Sequence, residues 1–401
     1  MRKIFRINKM NIITLCIILT LSSGMQGCSK NRFTTSNLMS DSFSNFFFNR
    51  GESTFTYKNK SKKVSILDYE TLNSALLCNV PNCNHQKEDC ILQRLDRNIP
   101  VFDTEEAYYF IDDLPTIIDS DDENKNQDLQ LGTTLYSYNL SSNQEKKLFH
   151  INGDSSSSQH GWLLHDGKLY YVSNELSRNY DENGRILSYS NVGGNMRLKS
   201  IQLNNGEITD YGNLYDIGAL SFYYPGARYS ASAIIKGIYN NRIYFDVFFV
   251  EAVSDNENPP ITRRYVSYYD LATNSYYSKP QDYEKIDFGS AVFVSKDYLV
   301  IANEHQISVY NPEEKQPIVF SDDIFSDYLD PSVQNMSVFD NWAFCNGKAF
   351  NIKTKEILFL KNMENKAVIS QYKDNYIISD FGLQEGFEKI PATQLLGGIT
   401  S

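Results

Sequence analysis

Residues 78 to 90, CNVPNCNHQKEDC, hold three of the chain's six cysteines and one of its five histidines. The spacing is Cys78(x4)Cys83(x1)His85(x4)Cys90. Three thiolates and an imidazole make a complete ligand set for a structural zinc, which takes four soft or borderline donors in a tetrahedron. The spacing is not that of the common zinc fingers, but Pro81 and the polar residues between the ligands permit the tight turns a compact site needs. Two other uses of the same residues compete. Cysteines of exported chains tend to pair, so a local disulfide among Cys78, Cys83 and Cys90 is one, and reduced, unliganded thiols are the other. Cys345, in NWAFCNG, falls in an expected strand far along the chain and reads as a lone buried thiol.

Elsewhere the residues that do chemistry are sparse. The chain has no G-x-S-x-G elbow, H-E-x-x-H pair, P-loop or dinucleotide fingerprint. DSDDENKNQD, 119 to 128, has acidic spacing like that of an EF-hand loop but lacks its sixth-position Gly and twelfth-position Glu, and reads as a solvated insertion between strands. The pairs Asp112 with Asp113 and Asp322 with Asp323 read as turn residues. His160 and His165 flank Gly161 and Trp162 without a nucleophile or carboxylate at a recognisable spacing. Aromatic stripes such as YYFIDD and IYFDVFF alternate along strands and read as packing. Phe222, Tyr223 and Tyr224, in SFYYPGARY, are the candidate ligand-contact loop, because sugar-stacking aromatics belong in loops.

What positions these residues is a repeat. An Asp, Asn or Gly turn followed by a Tyr-rich strand recurs at TEEAYYFIDD (104 to 113), HDGKLYYVSNE (165 to 175), YNNRIYFDVFFV (239 to 250), SKDYLVIANEH (295 to 305) and YKDNYIISDFG (372 to 382). A hairpin pattern follows each, with turns such as NNGE, ATNS and PEEK. With 28 Tyr and 24 Phe in the chain, β-propensity is high throughout, and helical periodicity is almost absent. Small antiparallel sheets repeated in this way must stack on their neighbours to bury both faces. The expected fold is all-β: a single β-propeller over 43–396, of seven blades rather than six, closed by a strand from near the N-terminus beside the last blade. A β-sandwich pair would not give so regular a beat, and a β-helix needs shorter rungs.

The N-terminus reads as an export signal over 1–27: basic Arg2, Lys3, Arg6 and Lys9, a short apolar stretch from Ile12 to Leu21, then small residues before Cys28. The apolar run is too short to span a bilayer. Met25-Gln26-Gly27-Cys28 resembles the bacterial lipobox, although Met25 and Gln26 depart from its commonest form. That resemblance implies lipidation of Cys28, a polar tether over 28–42, and display on the outer face of the cell membrane. The net charge of -11 has no basic face to release phosphate counterions, and nucleic acid is set aside as a partner.

Together, the signal, the Tyr-rich repeats and LCNVPNCNHQKEDC resemble a group of surface lipoproteins of anaerobic Gram-positive bacteria. Their propellers are similar to the TolB-like and low-density-lipoprotein-receptor-like classes. The resemblance implies fold and location and brings no activity with it. The function expected is a non-catalytic, membrane-anchored scaffold that binds a protein or glycan. The alternative is an extracytoplasmic carbohydrate-active hydrolase or lyase using carboxylates on one propeller face.

Overall fold

The computed structural model describes residues 48–49, 52–58, 63–78, 80–86, 90–95, 102–103, 107–112, 132–139, 141–152, 154–155, 161–180, 186–214, 228–252, 261–277, 291–294, 298–302, 306–311, 316–321, 336–345, 347–363, 366–380 and 386–397. All lie within the unit spanning Thr35–Ser401. Their strands form seven antiparallel sheets, taken in chain order, and the fold is an all-β propeller of seven blades.

Blade 1 is β1 (Phe48–Asn49), β2 (Ser53–Lys58), β3 (Lys63–Asp68) and β4 (Ser74–Leu76), followed by helix α1 (Ile91–Leu95). Blade 2 is β5 (Phe102–Asp103), β6 (Ala107–Asp112), β7 (Gly132–Asn139) and β8 (Gln144–Asn152). Blade 3 is β10 (Trp162–His165), β11 (Lys168–Tyr180), β12 (Ile186–Gln202) and β13 (Ile208–Asn213), with β9 (Asp154–Ser155) added on β11. Blade 4 is β14 (Arg228–Tyr239), β15 (Arg242–Ala252), β16 (Ile261–Asp270) and β17 (Ser275–Tyr277). Blade 5 is β18 (Ala291–Val294), β19 (Leu299–Ala302), β20 (Gln306–Tyr310) and β21 (Ile318–Ser321). Blade 6 is β22 (Met336–Phe339), β23 (Trp342–Cys345), β24 (Lys348–Asn351) and β25 (Ile357–Phe359). Blade 7 has three strands, β26 (Lys366–Tyr372), β27 (Asn375–Asp380) and β28 (Glu388–Pro391), and ends in helix α2 (Ala392–Gly397).

The turns explain the beat. Between third and fourth strands, the last residue of the third strand caps its own turn: Asp68 Oδ1 accepts from Thr71 N, Asn139 Oδ1 from Ser141 and Ser142 N, Asp270 Oδ1 from Ala272 and Thr273 N, and Asn351 Oδ1 from Lys353 and Thr354 N. Four positions on, Leu72, Asn143, Asn274 and Lys355 take positive φ, and Gly206 does so after Gln202. These are side-chain-closed turns of the kind Asx residues favour. Between first and second strands, Asp166-Gly167 and Asn240-Asn241 have positive φ at both positions, the two-residue geometry that matches strand twist.

The core lies between blades. Phe55, Val64, Tyr108, Phe110 and Tyr138 join blades 1 and 2, with Ile91 and Leu92 of α1 packed beside them. Leu163, Val172, Leu198, Ile235, Phe245 and Tyr265 join blades 3 and 4. Equivalent clusters join 4 to 5, 5 to 6 and 6 to 7.

The expected closing strand from residues before Phe48 lies outside the described residues. No strand from near the N-terminus joins blade 7 among the described residues; β1 pairs with β2 inside blade 1, Phe48 opposite Phe55. Blade 1 completes its own four strands, and Leu395 and Leu396 of α2 pack against the blade 6–7 cluster at the end of the three-stranded blade. Blades 7 and 1 instead meet through Leu67 and Tyr69 against Ile369 and Ile377, and through Glu70, which pairs with Lys373 and Lys389.

Candidate metal centre

β4 runs out at Leu76, and buried Leu77 still donates its N–H to the Val64 carbonyl. The chain then leaves the sheet at Cys78. Val80-Pro81-Asn82-Cys83 closes a turn with Cys83 N donating to Val80 O at 3.2 Å and φ of 59° at Asn82. Proline second and a positive φ third are the demands of a type II turn. Asn84 Oδ1 accepts from Gln86 N, and His85 takes a φ of 58°. Cys90 opens α1, whose Gln93 donates its backbone N–H to the Cys90 carbonyl and its side-chain amide to the His85 carbonyl. One helical residue thus ties together the two ends of the His85–Cys90 segment.

These turns bring the ligand atoms of Cys78, Cys83, His85 and Cys90 within 4.8 Å of one another, and the group can hold a metal ion. Cys90 Sγ lies 3.7 Å from His85 Nδ1. A tetrahedral zinc, with bonds of about 2.3 Å to sulfur and 2.0–2.1 Å to nitrogen, separates its ligand atoms by about 3.5–3.8 Å. The His85–Cys90 edge already has that length. His85 N donates to Cys83 Sγ at 3.4 Å, and the Val80 N–H is directed at Cys78. Both contacts stabilise sulfur carrying negative charge, the form in which cysteine ligates. Burial pushes the Cys78 thiol up to about 11, opposed by the Val80 N–H and reinforced by the neighbouring Cys90 and Cys83. A bound dication reverses that balance, because a coordinating thiol gives up its proton. The three candidate uses of the triplet share one geometric fact: the sulfurs converge, and the imidazole converges with them.

Anchoring is unequal around the group. Cys90 is buried and belongs to the blade 1–2 cluster, with Cys78 and Cys83 half-buried beside it. Cys345 is 7% exposed in β23, its thiol pushed up to about 12 by burial, and takes no part.

The remaining candidates disperse. Trp162 is fully buried and stacks on Tyr171 at 4.9 Å, so it belongs to the interior rather than to a ligand loop. His165 closes β10 with Nε2 3.4 Å from Asp166. Cys28, His160, the acidic segment 119–128, Asp113, Asp322, Asp323 and the Phe222-Tyr223-Tyr224 loop lie outside the described residues. Sequence reasoning missed a buried ion pair, Lys236 with Asp246 at 3.8 Å, 3% and 0% exposed. Its signal was a lysine at an inward position of the otherwise apolar ASAIIKGIY. Among the described residues no helix is long and apolar enough to cross a membrane.

No family model matches the sequence, and no curated protein does. Solved structures similar to it include an oligogalacturonate lyase in complex with manganese (11% identity, TM-score 0.38, 82% of each chain). The polysaccharide lyase Uly1 is similar at 9% identity and a TM-score of 0.42, over 86% of this chain and 89% of that one. TolB from Acinetobacter baumannii is similar at 11% identity and a TM-score of 0.26, over 86% and 78%. At such scores these likenesses carry no functional argument.

Proposed function

We propose that the chain is a non-catalytic binding scaffold, anchored through lipid on Cys28 at the outer face of the cell membrane. It offers one face of its propeller to a protein or glycan partner and holds a structural zinc at Cys78, Cys83, His85 and Cys90. The observation that carries the binding reading is how unequally the two ends of the blades are built. In an antiparallel blade, connections from first to second and third to fourth strand leave at one end; those from second to third strand, and onward to the next blade, leave at the other. At the first end the connections are tight, as at Asp166-Gly167, Asn240-Asn241, Asp340-Asn341 and Lys373-Asp374. At the second they include 77–101, 113–131, 214–227, 253–260, 278–290 and 322–335.

Blades 3 and 4 also lengthen toward that second end. β11 and β12 run to 13 and 17 residues and β14 to 12, against 4 in β18 and β22. The β11–β12 pairing skips from Asn174 opposite Met196 to Leu176 opposite Asn191, which bulges the stretch containing Gly193-Gly194. Elaboration confined to one end of a rigid scaffold is how binding surfaces are built on β folds. The zinc loop leaves its blade at that same end.

The test uses the soluble body, 43–401, immobilised and exposed separately to purified envelope polysaccharide and envelope protein. A second version replaces Leu176–Asn191 by a two-residue turn. Saturable binding that the shortened version loses, with its melting profile kept, is the expected result. Release of shortened or unsaturated glycan from the polysaccharide arm would replace this reading with the enzymatic one.

A further inference from the structure

We infer that the Cys78–Cys90 centre is redox-gated: a hydroperoxide oxidises Cys78 and Cys83 to a disulfide and expels the zinc, leaving Cys90 reduced in the core. The inference rests on the zinc reading above and adds to it a second, mutually exclusive state of the same four residues. Three thiols whose sulfurs lie within 4.8 Å can be held apart by a metal or joined in a pair, not both. A disulfide needs its sulfurs at about 2.05 Å and its Cβ atoms at about 3.5–4.5 Å.

Access decides which pair forms. Cys78 and Cys83 are half-buried, whereas Cys90 is 5% exposed and packed in the cluster of Leu77, Ile91 and Leu92. Oxidation follows thiolate character together with exposure. Cys83 is half-buried at the end of the Val80–Cys83 turn, and its sulfur accepts the His85 N–H. The loop also has a reason to move once the ion leaves. Asn82 and His85 stand in the left-handed region, a conformation that His85 in particular keeps only where its surroundings hold it.

The chemistry balances. The Cys83 thiolate attacks one peroxide oxygen; the O–O bond breaks and hydroxide, or the alkoxide of an organic hydroperoxide, leaves and takes up a proton to become water or an alcohol. The Cys78 thiolate then attacks the resulting sulfenic sulfur and forms the S–S bond. The second hydroxide departs and is protonated. Two thiolates have lost two electrons, the peroxide has gained them, and zinc is left with His85 and Cys90, too few donors to keep it. Because the centre lies in the connection between blades 1 and 2, at the elaborated end, oxidation alters the proposed binding face while the sheets stay intact.

The experiment loads the reduced full chain with zinc and titrates it with hydrogen peroxide, following zinc with a chromogenic chelator and the protein by intact mass and peptide mapping. The expected result is release of about one zinc per chain in step with loss of two hydrogens, linkage mapping to Cys78–Cys83, and recovery on adding thiol reductant and zinc. Cys83→Ser should not lose the two hydrogens at matched peroxide, and Cys345→Ser should leave both zinc release and the linkage unchanged. Zinc retained at peroxide levels that oxidise free cysteine, release accompanied by sulfinate in place of a disulfide, or linkage through Cys90 would overturn the inference. Failure of the reduced chain to take up zinc at all would instead overturn the zinc reading beneath it.

Discussion

Removing the metal should lower the stability of the chain by an amount that can be worked out. The four ligands come from a loop whose two ends are already fixed, Cys78 just after β4 and Cys90 at the start of α1, both in the blade 1–2 cluster. The propeller therefore forms around the site, and the metal adds its binding energy only as mass action on the folded state. With free zinc at about 100 times its Kd, that contribution is about 2.7 kcal/mol. A chain of this size shifts its Tm by roughly 2 °C per kcal/mol, so chelation should lower Tm by about 5 °C. Differential scanning calorimetry with and without a strong chelator measures the shift, and metal analysis of the same samples establishes occupancy. Cys90→Ser should abolish the response to chelator, since it removes the ligand most firmly held by the core. Cys345→Ser, in blade 6, should keep it. Superimposable melting curves for samples shown to differ by one zinc per chain would refute the reasoning, because an ion bound by the folded state alone cannot fail to stabilise it.

Three other outcomes follow from the blade seams. Gly237 has a φ of 144° and an added Cβ would stand 2.9 Å from Val294 Cβ, so Gly237→Ala should destabilise by about 2–4 kcal/mol in denaturant titration; Gly397→Ala, with nothing within 4 Å, should stay within about 0.5 kcal/mol of the parent. Lys236→Met leaves Asp246 charged in the interior and should cost about 3–5 kcal/mol, whereas Lys236→Met with Asp246→Leu should recover most of that; equal losses in single and double variants would count against the pairing. Hydrogen bonding to Lys373, with the charge of Lys389 nearby, holds the Glu70 carboxyl below its ordinary 4.5. A depressed carboxylate contributes stability that is fully present above its unfolded value and disappears as pH falls through the folded one. The difference between parent and Glu70→Gln should therefore be present at neutral pH, disappear as pH falls below 4.5 through the lower folded value, and shrink in high salt; a difference independent of both would refute it.

Much of the fold was legible because propeller sequence reports itself through turns. The Tyr-rich segments proved to be second strands, β6, β11, β15, β19 and β27, and the hairpin segments proved to be third and fourth strands. Apart from β26, first strands were not legible. β18 and β22 have four residues each, too few for alternation to show, and β1 and β5 have two. Leu72 and Lys355 hold the same left-handed position as Asn143 and Asn274, yet neither residue type announces it; the Asx cap four residues earlier imposes the conformation. At the metal centre the ligand types and the Val80–Cys83 turn could be read directly. What could not be read was Gln93, whose role depends on a helix of one turn that tertiary packing creates.

The place of the metal centre then has a physical logic. A ring of blades closes where its ends meet, and here blades 7 and 1 meet without exchanging a strand among the described residues. Their seam buries Leu67, Tyr69, Ile369 and Ile377, a smaller set than the cluster joining blades 3 and 4, and faces it with buried Thr54, Thr56 and Ser65 on the strands that carry it. Terminal units of a repeat array bury one good interface where interior units bury two, and they need something the repeat does not supply. Both terminal blades have it. Blade 7 ends in α2, whose Leu395 and Leu396 pack on the blade 6–7 cluster, and blade 1 is followed by α1 and the Cys78–Cys90 loop, whose Cys90, Ile91 and Leu92 pack on the blade 1–2 cluster. Each non-repeating element strengthens the interior seam of a terminal blade. A metal at Cys78, Cys83, His85 and Cys90 thus acts where the ring has least redundancy, and its loss should be felt first as local opening of blade 1. Hydrogen exchange with and without chelator reads this directly: β2 and β3 should gain exchange on metal removal while β19 and β20 of blade 5 keep their protection.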